Sequence, residues 1–159
     1  MNNEAYPSAI RDIAITALSN QTITGTHLQT TLRESDDPLS PLIGSKFCVD
    51  GAFTVKNDYA PTGSAQTRTA GSGGVIQRLY RHRLKIELSV YIGACPNWSA
   101  DLLIWSQRVI TLLNAAFEPN SGTNYVCQGG APMGDPVRST DGAFLIVGVL
   151  YTVDAFWPR

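Results

Sequence analysis

Few residues of this 159-residue chain have types suited to chemistry, and their spacing gives them little company. The histidines are His27 and His82. Neither stands in an HExxH frame or has a ligand partner at i+4, and no cysteine is near either in sequence, so no zinc site is expected. Cys48, Cys95 and Cys127 are odd in number and contain no CxxC. They read as small buried thiols of a reducing compartment. A Cys–His nucleophile pair has no motif behind it. Asp36 and Asp37 are adjacent, but a proline-bounded acidic loop reads as solvated. The chain has no GxxxxGK[ST]. Gly71, Gly73 and Gly74 precede a strand instead of joining strand to helix, which argues against a dinucleotide turn. No catalytic residue, cofactor or metal is expected, and the chain reads as part of an assembly instead of an enzyme.

One charged cluster stands out: Arg78, Arg81, Arg83 and Lys85, in IQRLYRHRLK. On a strand, Arg81, Arg83 and Lys85 project to one side, with Glu87 next in line. Such a row can face DNA or an acidic partner surface. It can equally be a solvated sheet face, or pair with acids on a neighbouring strand. Glu87 in the row and a net charge of −1 favour the second alternative. The same near-neutral balance argues against a general nucleic-acid or anionic-membrane binder.

These residues are positioned by a chain long enough for one domain with a real core. Charged residues make up only 16%, against a quarter in ordinary domains, which fits a surface covered by neighbouring subunits. Residues 1–12 lack a basic region followed by an apolar run, so no signal peptide is expected there. No apolar run approaches a membrane span. The expected place of synthesis is the cytoplasm.

Residues 7–19 predict a helix, with Pro7 at a first helical position and Ile10, Ile13, Ala14, Ala17 and Leu18 as its apolar stripe. Residues 22–26 predict a short strand, and 28–32 a short helix or strand. Asp50-Gly51, between two β-prone runs over 47–55, predicts a hairpin with a type I′ turn. Residues 57–74 hold almost no large apolar side chain and predict a flexible excursion. Its Thr67, Arg68 and Thr69 are candidates for an arm that orders against a neighbour. Residues 75–92 predict a long strand in which Leu84, Ile86, Leu88, Val90 and Ile92 alternate with polar residues. A helix follows from about 97, with Asp101 in its first turn and Leu102, Trp105, Val109, Leu112, Leu113, Ala116 and Phe117 on its apolar face, widened by Leu103 and Ile110. Residues 125–128 predict a short strand, 129–142 a Gly/Pro-rich loop, and 143–157 a final strand.

That final strand is apolar on both faces. Leu145, Val147, Val149, Tyr151 and Val153 line one, and Phe144, Ile146, Leu150 and Phe156 the other. A half-wet antiparallel strand shows polar residues at alternate positions. The second face therefore calls for a helix, a loop or another subunit, and Phe144, Ile146, Leu150 and Phe156 are candidate interface residues. The expected fold is α+β: a mainly antiparallel twisted sheet with two main helices on one face.

The order of elements, with RLKIELSVYIGA, then NWSADLLIWSQRVITLL, then GAFLIVGVLYTVDAFW near the C-terminus, resembles the tail terminator proteins of long-tailed bacteriophages and related tail-completion proteins. The resemblance covers residues 7–157 by pattern and 81–157 in detail. It implies a structural virion protein that forms a ring, a homohexamer, on the end of the finished tail tube. Such a ring stops addition of tube subunits and offers a joint to the head connector. The implied partners are further copies of the chain, the tail tube protein and the head–tail connector protein, with DNA only as cargo through the lumen. The implied location is the head-proximal end of the virion tail, after assembly in the host cytoplasm. A neck or head–tail connector component is the alternative reading. A small ligand-binding module or enzyme is more distant, since no motif points to a convergent polar pocket.

Overall fold

The computed structural model describes residues 5–24, 29–34, 50–61, 67–70, 75–91, 98–117, 125–133, 137–138 and 144–158. Helix α1 spans Ala5–Leu18 and α2 spans Trp98–Phe117. The strands are β1 (Thr22–Thr24), β2 (Gln29–Glu34), β3 (Asp50–Pro61), β4 (Thr67–Ala70), β5 (Val75–Tyr91), β6 (Tyr125–Pro132), β7 (Val137–Arg138) and β8 (Phe144–Pro158). They form one sheet in the order β1-β2-β3-β5-β8-β6, with β4 beside β5 and β7 beside β8. All pairings are antiparallel except β2 with β3. The fold is α+β, as the sequence leads one to expect.

The sheet is built around β5 and β8, whose ladder runs from Gln77 opposite Pro158 to Tyr91 opposite Phe144. Alternation sorts their residues by face. Leu84, Ile86 and Leu88 of β5 and Val147, Val149, Tyr151, Val153 and Ala155 of β8 are buried in one core. Phe53 and Val55 of β3 extend it, opposite Leu88 and Ile86. Both helices cover this face. Helix α1 contributes Ile10, Ala14 and Leu18, and α2 contributes Trp105, Val109, Leu113 and Phe117. Both sets recur at i+3 or i+4 spacing, so each helix lays one stripe on the sheet. Leu103 does not widen the α2 stripe as expected; it is exposed.

The end of α1 is fixed by backbone chemistry. Asn20 takes φ 61°, the left-handed conformation that Asn tolerates after a helix. Its N–H donates to Leu32 O, and Leu32 N–H donates to Gln21 O, which ties the helix end to β2. Farther back, Arg11 Nε donates to Val55 O and pins α1 to β3.

Three local expectations change. Asp50 and Gly51 are not a hairpin turn. They open β3 and pair with Thr31 and Leu32 of β2 in the parallel ladder. An Asp-Gly pair favours a turn only when its flanking runs pair with each other; here a distant strand takes the position. Residues 47–49 lie outside the described residues. The excursion at 57–74 is substantially strand: 57–61 continue β3 against β5, and 67–70 are β4. A long β5 offers ladder partners even to a stretch poor in apolar residues. Likewise β6 extends to Pro132, past the expected strand at 125–128, after a register shift between Cys127 and Gly129 where Gly129 takes φ 91°.

Candidate assembly surface

The sheet face opposite the helices carries the alternate residues of each strand. On β5 these include Leu79, Arg81, Arg83, Lys85 and Glu87, and on β8 Leu150, Thr152, Asp154 and Phe156. Among the described residues no helix covers this face. Arg81, Arg83 and Lys85 share it, as alternation requires. Arg78 does not belong with them: its even register places it on the helix-side face, beyond the two helices.

The basic row is largely compensated. Arg81 donates from Nε and Nη2 to the two carboxylate oxygens of Asp154, at 2.9 and 3.1 Å. The two residues are directly opposite in the β5–β8 ladder. The bond and the charge of Asp154 both raise the Arg81 pKa. Lys85 Nζ lies 2.9 Å from Glu87 Oε1. Arg83 faces Asp58 in the β3 register and makes no ion pair among the described residues. Lys56 faces Lys85, so two like charges adjoin there. Arg81 and Lys85 are thus each paired with a carboxylate, and the one like-charge contact along the row is that of Lys56 with Lys85.

The expected interface residues divide by what is described. Leu150 and Phe156 are half-buried on this same face, opposite Lys85 and Leu79. Phe144 and Ile146 occupy positions of matching register, opposite Tyr91 and Ser89. Thr67, Arg68 and Thr69 are opposite Arg78, Gln77 and Ile76, so the proposed arm is a sheet edge over this stretch.

Sequence reasoning missed Asp154, the only charged residue of β8, because its partner depends on a register that the sequence does not reveal. It also passed over His82. That imidazole is buried on the helix side, stacked on Tyr59 with ring centroids 5.7 Å apart. Its Nδ1 lies 3.1 and 3.3 Å from the amide nitrogen and oxygen of Asn57. Burial lowers its pKa to about 4, against a smaller raising effect of Asp154. It is a neutral core histidine. No group of three metal-ligating side chains is found among the described residues. No helix there is long and apolar enough to cross a membrane.

Neither a protein-family model nor a curated protein matches the chain.

Proposed function

We propose that this chain is a structural virion protein whose ring caps the end of a phage tail tube, ends its polymerisation and provides the joint to the head connector. The observation that carries this reading is the one-sided sheet. Both helices lie on one face, while the other presents half-buried Leu150 and Phe156 beside exposed Arg83 and Lys85. A sheet face of mixed apolar and charged character fits an interface between subunits better than a wet surface. The detailed resemblance of residues 81–157 to tail terminators supplies the kind of assembly. In this reading Arg81, Arg83 and Lys85 border the lumen or a neighbour's acidic patch. A ring of heterologous contacts closes by rotation.

Incubation of the purified chain with purified tail tubes and free tube protein tests the proposal. Caps at one tube end and arrested elongation are expected. Tubes that continue to grow, with no bound chain, would overturn it.

A further inference from the structure

Strand β3 is fastened in two different ways along its length. Its inner half places Phe53 and Val55 in the core, and β2 accompanies it as far as Phe53. Arg11 of α1 ties down the carbonyl of Val55. Beyond Val55, residues 56–61 bury no side chain: Asn57 is half-buried, and Lys56, Asp58, Tyr59, Ala60 and Pro61 are exposed. This outer half lies along β5 from Lys85 to Tyr80. One β5 side chain holds both Asn57 and Tyr59. His82, 0% exposed, meets the Asn57 amide at Nδ1 and stacks on the Tyr59 ring with the planes 17° apart. The strand thus passes from a core anchor to a His82 anchor between Val55 and Lys56.

A neutral imidazole suits this place. Its Nδ1 accepts from the Asn57 amide or donates to it, according to the tautomer. An imidazolium there carries a charge that burial strips of water. The charged and titratable groups around it compensate little. Tyr59 faces it from β3, and Arg78 and Tyr80 share its face of β5. Lys56, Asp58, Arg81 and Arg83 project from the other face, as does Asp154 of β8, which Arg81 already engages. From α1, Arg11 is held at Val55 O and beside Glu34, and Asp12 is exposed. Burial therefore outweighs the charge of Asp154 and lowers the His82 pKa from 6.5 to about 4. The charged form reaches water most readily where the cover is least anchored, and that is the outer half of β3.

We propose that residues 56–61 form an acid-released flap: protonation of His82 lifts them from β5, with Val55 and Lys56 as the hinge, while the core sheet and both helices stay folded. The release uncovers the β5 edge from Tyr80 to Lys85, whose backbone groups are then open to another extended segment. The flap stands on β3 and β5 alone and does not depend on the ring reading.

Amide hydrogen exchange of the full chain, followed by NMR from pH 7 to pH 4 and corrected for the intrinsic rate, tests this. A lifted His82 titrates at the ordinary 6.5 and the covered one at about 4, so lifting takes up a proton across this window and grows easier as pH falls. The ladder amides of residues 56–60 are expected to exchange faster than those of α2 at every pH, and their opening to rise about a hundredfold from pH 7 to pH 4. In His82→Gln, which keeps a polar partner for Asn57 and cannot titrate, that rise should vanish. Flap amides that exchange only as fast as those of α2 would mean opening of the whole domain and would overturn the proposal. Opening that stays constant with pH in the wild type would overturn it without any variant. A rise that persists in His82→Gln would assign the effect to another group and overturn it as well.

Discussion

Arg81 reaches across the β5–β8 ladder and holds both carboxylate oxygens of Asp154, although Arg81 is 44% exposed and Asp154 only 5%. The asymmetry decides what each residue does. The arginine keeps most of its hydration, while the carboxylate depends on the guanidinium for compensation. Removing one partner leaves a buried charge; removing both leaves none. Arg81→Ala is therefore expected to destabilise the fold more than Arg81→Ala with Asp154→Ala. Urea denaturation of the two single variants and the double variant measures this. Losses that simply add would show that the pair is not coupled.

His82 gives the fold a pH dependence. Burial holds its pKa at about 4 in the folded chain, below the ordinary 6.5. Between these values the unfolded chain binds a proton that the folded chain does not, so stability rises with pH. As pH falls from 6.5 towards 4, this group is expected to remove up to about 3 kcal/mol of stability. His82→Gln keeps a polar partner for Asn57 and cannot titrate. Its stability curve should be flatter across that window, and a curve parallel to the wild type would exclude His82 as the cause.

Gly130 of β6 lies close against both α2 and β8. A Cβ built there would lie 2.9 Å from Tyr151 Cδ2, 3.0 Å from Ile110 Cγ1 and 3.2 Å from Leu150 O. One of those three is backbone, so the site has limited room to give. Gly130→Ala is expected to cost about 1–3 kcal/mol through overpacking. Thermal unfolding reads this directly; an unchanged melting temperature would mean that α2 is free to shift.

Tyr151 is buried in the core, and its hydroxyl donates to Asn114 Oδ1 at 2.6 Å. Its ring stacks on Phe117, with centroids 5.8 Å apart. Tyr151→Phe keeps the stack and removes the hydrogen bond. A loss of about 1 kcal/mol is expected. Denaturant titration checks it, and a loss several times larger would mean that the ring itself had moved.

Arg83 and Lys85 are the exposed charges that the ring reading assigns to the lumen or to a neighbour. Arg83→Glu with Lys85→Glu is expected to lower the yield of infectious particles while leaving the melting temperature close to that of the wild type, since surface charges contribute little to stability. Unaffected infectivity would remove the row from the functional account.

The parts of the fold legible in the sequence are those with long, regular periodicity. The stripe Ile10, Ala14, Leu18, the alternation Leu84, Ile86, Leu88 and the run from Trp105 to Phe117 each name their element and their buried face. Local signals failed where a distant strand competed. Asp50-Gly51 has turn chemistry, yet a parallel ladder with β2 takes it. Thr67–Ala70 has no apolar pattern, yet β5 pairs with it. Of the candidate surface, parity alone places Arg81, Arg83 and Lys85 together and sets Arg78 on the other face. The Arg81–Asp154 pair was illegible because it depends on the register between two strands more than fifty residues apart. His82 was illegible for a related reason: its burial depends on Asn57 and Tyr59, which lie on a stretch of β3 that has no hydrophobic pattern.

The central claim is that copies of this chain close into a ring. The most direct test is the solution mass of the purified protein, with negative-stain images of the same sample, taken with and without tail tubes. The account predicts a hexameric mass and six-fold rings with an open lumen, free in solution or seated on tube ends. A monomer under both conditions, with bare tube ends, would contradict it.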